Sequence, residues 1–245
     1  MIIDTHSHLN FKAYNKDREQ VIKRAQEQGV VCIDVGINFE TSKKAVELAE
    51  NNKNIFAAVG MHPIHAKDEE FDRQKYLDLA KSKKVVVIGE IGLDNKFKNE
   101  KQKQVFLQHL GLAIELELPV ILHCRMAHTD LIEILKSHSN LRGVLHCFTG
   151  SVEEMEQYLE LGFYIGFNGI VFKLPLDEVI KGCPMDKILV ETDCPYLTPL
   201  VEGKNTRNEP VFVKHVIQKM ADLKGLTFDE IAKKTTQNAK ALFKI

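Results

Sequence analysis

Short runs rich in β-branched residues alternate with longer stretches whose apolar positions recur every three or four residues, and the alternation continues along the whole chain. The first pattern fits buried strands of a parallel sheet, the second amphipathic helices laid over it. Eight strands are predicted: Ile2 to His6, Val30 to Val35, Ile55 to Gly60, Val85 to Glu90, Pro119 to His123, Gly143 to His146, Phe163 to Phe167 and Ile188 to Asp193. Helical spacing is clear in Val105, Phe106, His109, Leu110, Ala113, Ile114 and Glu117. Ser151 with Glu154 and Thr227 with Glu230 read as capping boxes, and Pro210 suits a first helical turn. Eight βα units in 245 residues predict an α/β fold: a single TIM (β/α)8 barrel with its active site at the C-terminal ends of the strands. With no linker or low-complexity segment, residues 1–245 are expected to form one domain.

Composition narrows the partners. Lys and Arg number 33 against 34 Asp and Glu, a formal charge of -1, so a polyanion must be met by a local patch rather than a global field. The five cysteines are odd in number and form no Cys-x-x-Cys pair, as expected of a reduced, cytoplasmic setting. No run approaches the roughly 20 apolar residues that cross a bilayer, so neither secretion nor a membrane partner is expected. Nothing in the chain calls for an obligate protein partner.

The candidate chemistry lies at the strand ends. His6 and His8, two apart on a strand, point the same way. Glu90 closes the apolar run Val85-Val86-Val87-Ile88-Gly89, where a carboxylate must be paired, hydrated or metal-bound. His62, His123 and His146 also fall at strand ends, whereas His109, His128, His138 and His215 fall on helices or their ends and His65 on a loop, in packing or solvated roles. After Ile188-Leu189-Val190, Glu191 and Asp193 share a face by alternation, and the pattern does not choose between them. Cysteine follows His123, His146 and Asp193, but neighbours on a strand face opposite sides, so Cys124, Cys147 and Cys194 should be small buried residues, as should Cys32 and Cys183. A mouth of imidazoles and carboxylates suits zinc, manganese, iron or, with fewer nitrogens, magnesium. There are enough ligands for two ions, which at about 3.5–4 Å apart can hold a bridging water and neutralise a phosphoryl group under attack. Hydrolysis is the natural reaction class.

Loop residues hint at the substrate. Lys96, Lys98, Arg125, Lys173, Lys204 and Arg207 should ring the mouth and as a group suit phosphate, although any single one is by default solvated. Phe11, Tyr14, Phe97, Phe172 and Tyr196 have the chemistry to stack on unpaired bases, with core packing as the default. A strand end entering a pocket is easier to accommodate than a duplex across a neutral surface.

Seven segments, in order, resemble the signatures of the TatD family of metal-dependent deoxyribonucleases, a branch of the amidohydrolase-like TIM barrels. They are Asp4-Thr5-His6-Ser7-His8-Leu9, Gly60-Met61-His62-Pro63, Gly89-Glu90-Ile91-Gly92-Leu93-Asp94, Leu118-Pro119-Val120-Ile121-Leu122-His123, His146-Cys147-Phe148-Thr149-Gly150, Glu191-Thr192-Asp193-Cys194-Pro195-Tyr196-Leu197 and Arg207-Asn208-Glu209-Pro210. The resemblance spans almost the whole chain. It implies that His6, His8, Glu90, His123, His146 and Asp193 bind two divalent ions, magnesium or manganese with zinc as the alternative, and that Glu90 bridges them. It favours Asp193 over Glu191. The implied activity is hydrolysis of DNA phosphodiesters, from the 3′ end of single strands, with RNA as an alternative polymer. A metal-activated water would attack phosphorus, Asp193 and Glu90 would be catalytic, and His62 and Arg125 would contact phosphate. Two departures touch the substrate loops: Asn95 follows Asp94 where the family often has an aromatic residue, and Met126 follows Arg125 where it often has aspartate.

Two other readings share the pattern. Similar barrels hydrolyse small-molecule esters, lactones and amides, but relatives of that kind commonly bridge their metals with a carboxylated lysine, where this chain has Glu90. A non-catalytic metal-binding scaffold would be expected to have lost ligands, and this set is intact.

Overall fold

The computed structural model describes residues 1–203 and 205–245. The elements are β1 (Ile2–Ser7), α1 (Arg18–Glu27), β2 (Val30–Val35), α2 (Phe39–Asn51), β3 (Ile55–Val59), α3 (Arg73–Leu79), β4 (Val85–Asp94), α4 (Lys101–Glu115), β5 (Val120–Arg125), α5 (His128–Lys136), β6 (Gly143–Leu145), α6 (Val152–Glu160), β7 (Tyr164–Phe167), α7 (Asp177–Gly182), β8 (Ile188–Val190), α8 (Val213–Lys224) and α9 (Phe228–Phe243). The eight strands are parallel and pair in chain order. Closure occurs where β1 meets the segment after β8. The Asp193 N–H donates to the His6 carbonyl at 2.8 Å, the His8 N–H to the Cys194 carbonyl at 2.9 Å, and Thr5 Oγ1 to the Val190 carbonyl at 3.1 Å. The architecture is a TIM barrel.

Local signals act as expected at the helix starts. Ser151 and Thr227 accept from the backbone N–H of Glu154 and Glu230, whose side chains accept in return. Pro210 opens a short 3-10 turn, Pro210–Phe212, that leads into α8. In α4 the buried stripe takes in Leu112, while Ile114 is exposed and Glu117 lies past the helix with φ 53°. Among the described residues no helix is long and apolar enough to cross a membrane.

Several strand ends differ from the expected ones, and the differences position the site. β4 continues four residues past Glu90 to Asp94 and is buried at every position, as a parallel strand covered on both faces should be. β8 stops at Val190, and Glu191-Thr192-Asp193 leaves the ladder, with Asp193 at φ 55°.

Two apolar layers separate cleanly. One lies between strands and helices and includes Cys32, Leu122, Leu145, Ile188 and Val190. The other fills the barrel with Ile3, Ile33, Val35, Ala58, Val86, Val87, Ile121, Val144 and Leu189, and is closed below by Ala239, Leu242 and Phe243 of α9. Ile3 packs into the lumen, so unbroken alternation would send Thr5 and Ser7 inward and both histidines outward. An extra residue in β1 reverses this parity: Asp4 to Ser7 runs opposite Cys32 to Asp34. β4 repeats the device, with Ile88 to Ile91 opposite Val120 to Leu122 and Glu90 inside the irregular stretch. Bulges on two strands thus aim three polar side chains into the mouth.

Candidate metal centre

The strand ends bring His6, His8, Glu90, His123, His146 and Asp193 together. Glu90 is the hub. Its Oε1 lies 2.9 Å from His123 Nδ1, 3.0 Å from His146 Nε2 and 3.5 Å from His62 Nε2, and its Oε2 lies 3.4 Å from His6 Nε2. On the far side Asp193 Oδ1 is 3.3 Å from His8 Nε2 and 3.8 Å from His6 Nε2, and the two Nε2 atoms are 3.2 Å apart. The His6 and His146 rings stack with centroids 3.9 Å apart. His6, His8, Glu90 and His146 are buried, whereas His123 and Asp193 are partly open.

Hydrogen bonds on the outer side of each ring decide what faces inward. His8 Nδ1–H donates to the Val35 carbonyl at 2.8 Å, which leaves the Nε2 lone pair free. His146 Nδ1–H donates to Glu191 Oε1 at 3.2 Å with the same result. His123 turns the other way: Nε2–H donates to Asp94 Oδ2 at 3.1 Å, and Nδ1 faces Glu90. His6 Nδ1 is buried with no partner. Lone pairs and carboxylate oxygens therefore converge, and such an arrangement requires positive charge between them.

The titration directions express the same demand. Burial alone would lower His8, His123 and His146, yet Asp193 raises the first, Asp94 and Glu90 the second, and Glu90 with Glu191 lifts His146 well above the usual range. Burial would raise Glu90 and Asp193, but the facing imidazoles hold both down. Divalent cations would supply the missing charge, and mixed nitrogen and oxygen donors suit them. The residues fit a metal centre.

His62 belongs to the cluster but with a different role. Its Nδ1 accepts the Ile64 N–H at 3.1 Å, so in the neutral ring the proton sits on Nε2, facing Glu90. Burial pushes its pKa down to about 3, which keeps it neutral. In this tautomer Nε2 presents a proton rather than a lone pair, although the ring also lies within reach of an ion shared with Glu90 and His123. Arg125 is exposed at the end of β5, in register with Asp94, beside the cluster rather than in it.

The residues that hold the ligands were the part missed from sequence. Glu191 and Asp193, left on one face by alternation, divide the work. Glu191 Oε1 accepts from the Cys147 N–H at 2.7 Å and Asn168 Nδ2 at 3.0 Å besides His146. Room for it comes from Gly166, where a Cβ would lie 2.7 Å from Glu191 Oε2. Gly92, at φ 145°, allows β4 to approach β5 where a Cβ would lie 2.0 Å from the His123 carbonyl oxygen. Asp4 accepts from the Thr192 N–H at 2.9 Å and from Thr192 Oγ1 at 2.6 Å, and Asn208 Nδ2 donates to the Thr192 and Tyr196 carbonyls, so the Asp193 turn is tied on both sides. Burial pushes the Asp4 carboxyl up to about 8. The available signal was a second polar residue within a few positions of a ligand on an otherwise apolar segment: Asp4 before His6, Asp94 after Glu90 and Glu191 before Asp193.

The expectation for Arg207 needs correction, and several default readings hold. Arg207 is not a free cation at the mouth: it pairs with Asp17 and Glu209 and lies over the Tyr14 ring. Tyr14 is fully buried and donates to the Asn208 carbonyl, so it offers no stacking face. Phe172 packs against the core. Lys98 and Lys173 are exposed, Lys96 lies over the Phe97 ring, and Lys204 lies outside the described residues. His128 takes the packing role, tied to Tyr158 and Cys124. Cys32, Cys124, Cys183 and Cys194 are small buried residues of the layer between strands and helices, as expected, whereas Cys147 is half-buried, past the end of β6 at φ 47°, with its Sγ 3.6 Å from Asn168 Oδ1. Burial pushes the Cys124, Cys147 and Cys183 thiols up to about 12.

The chain is similar to several known proteins. The model of the TatD related DNase family matches residues 3–244. The uncharacterized metal-dependent hydrolase YabD of Bacillus subtilis (strain 168) is 44% identical over 256 residues, with 100% of each chain covered. The 3'-5' ssDNA/RNA exonuclease TatD of Erwinia amylovora is 40% identical over 257 residues, with 99% of each covered. Among solved structures, the TatD homologue YJJV from Escherichia coli K12 superposes with a TM-score of 0.92 at 31% identity, covering 100% of this chain and 98% of that one.

Proposed function

This chain belongs to the TatD-related DNase family and is a metal-dependent hydrolase, and from that premise we propose that it cleaves phosphodiester bonds at the 3′ end of single-stranded DNA. RNA is a second substrate, and residues 1–245 act as one catalytic unit. The observation that carries the reading is Glu90, whose two carboxylate oxygens face different imidazoles. His6, His8 and Asp193 would hold one divalent ion and His123 and His146 a second, with Glu90 contributing to each and magnesium or manganese as the metals.

When bound, the ions supply Lewis-acid neutralisation of charge on the phosphoryl group and acidify the attacking water. The chain contributes the rest. Asp193, the most open carboxylate of the set at 15% side-chain exposure, accepts the water's proton at Oδ. The His62 Nε2–H and the Arg125 guanidinium hold phosphate oxygens in line. Glu191 and Asp94 keep His146 and His123 in the tautomers that present a lone pair. The name of the Erwinia relative supports a nucleic acid as the polymer and the 3′ end as the start.

The test uses chelator-stripped protein and 5′-end-labelled single-stranded DNA. Magnesium or manganese should restore a ladder that shortens from the 3′ end. Failure to cleave any nucleic acid with either metal, while small esters or lactones turn over, would overturn the proposal.

A further inference from the structure

A groove of about 660 Å³ leads away from the metal centre between the loop after β1 and the start of α2. Its volume is that of a small-ligand site, about 300–1,000 Å³. The inner wall is Phe11, whose ring lies nearly flat on that of His8, 4.3 Å between centroids at 13°. Tyr196 faces it from the β8 side. Its N–H donates to the Asp193 carbonyl at 3.0 Å, its ring stands at 71° to Phe11 with centroids 6.3 Å apart, and it is 55% exposed. Two aromatic rings are thus anchored on residues of the centre and open along the groove. The rim carries Lys12, Lys43 and Lys44 against Glu40 and Glu47.

We propose that this groove takes the nucleotides next to the scissile phosphodiester, so that the body of a single strand lies on the β1–α2 side of the mouth with a base stacked on Tyr196. The inference rests on the nuclease reading and adds the strand's path. Base stacking is indifferent to sequence because every base has a π-face, which suits an enzyme that trims an end. The opposite rim is the poorer route. Phe97 there is 44% exposed, but the Lys96 ammonium lies over its ring, 5.6 Å from the centroid, and the exposed Met126 offers no ring.

Photocrosslinking tests the path without turnover. Single-stranded oligonucleotides carrying 5-iododeoxyuridine at the first, second or third position from the 3′ end are irradiated with metal-free protein, and adducts are mapped by mass spectrometry. Adducts at Phe11 or Tyr196 from the second or third position are expected, and adducts confined to the Phe97 and Met126 side overturn the inference. In kinetics, Tyr196→Ala should raise KM for a tetranucleotide about tenfold with little change in kcat. Lys43→Ala with Lys44→Ala should flatten the slope of log KM against log salt by about 1.4 if both lysines meet phosphates of a single strand. An unchanged KM and slope would overturn the inference. Wild-type protein that cleaves no nucleic acid sinks the nuclease reading and this one together, whereas wild-type cleavage with adducts only on the opposite rim sinks the groove alone.

Discussion

The two ends of this barrel are buried alike and built from opposite chemistry. At the floor, Ala239, Leu242 and Phe243 of α9 cover Ile3, Ile33, Val87 and Val144, and the side chains packed there are apolar. At the mouth, Glu90, Asp94, Glu191, His6, His8 and His146 are as buried as that floor. Apolar burial stabilises without further conditions. Charged burial does not: each carboxylate at the mouth needs a donor or a cation, and each imidazole needs a fixed tautomer. The floor is therefore where folding energy resides, and the mouth is where it is spent on function.

Substitution at each end sharpens that contrast. Glu90→Ala should lower DNA hydrolysis by on the order of 10³-fold or more, because it removes the carboxylate whose two oxygens face His6 and His146 and on which the proposed centre turns. The same variant should lose the rise in thermal midpoint that manganese gives the wild type. Activity equal to wild type would break the comparison at its centre. Leu242→Ala, 2% exposed at the floor, should cost about 2–5 kcal/mol in denaturant unfolding. Its kcat should stay at the wild-type value wherever the protein remains folded. A fall in kcat of the folded variant would mean that the two ends are coupled.

How much was legible in sequence follows the same division. The barrel and its strand-end ligands were readable, since parallel strands buried on both faces leave near-continuous apolar runs in which a histidine or carboxylate stands out. Two things were not. Parity is the first: Ile3 and Glu90 lie on strands whose alternation is reset by an extra residue, and a bulge leaves no trace in local hydrophobicity. Long-range pairing is the second. Arg207 looked like a mouth cation and Asp94 fell beyond the expected end of its strand with no role, because the partners that define them, Asp17 and His123, are brought near only by the closed sheet. Glu191 was visible as a rival to Asp193, but its role depends on β8 ending at Val190, where alternation fails.

Glu191 also offers the finest test, because it lies at the mouth yet touches the centre through a single ring. Glu191→Gln keeps an oxygen for the His146 Nδ1–H and the Cys147 N–H but removes the charge that holds the imidazole's orientation. It also places an amide where Oε2 now has no hydrogen-bond partner. Affinity for manganese, measured by calorimetry, should weaken about 10- to 100-fold, a smaller effect than either substitution above. Denaturant stability of the metal-free protein should move far less than in Leu242→Ala. If affinity were unchanged while stability fell, Glu191 would belong with the floor, as a packing residue that happens to carry a charge. If affinity falls alone, the centre is organised one layer deeper than its ligands, by carboxylates that never meet the metal.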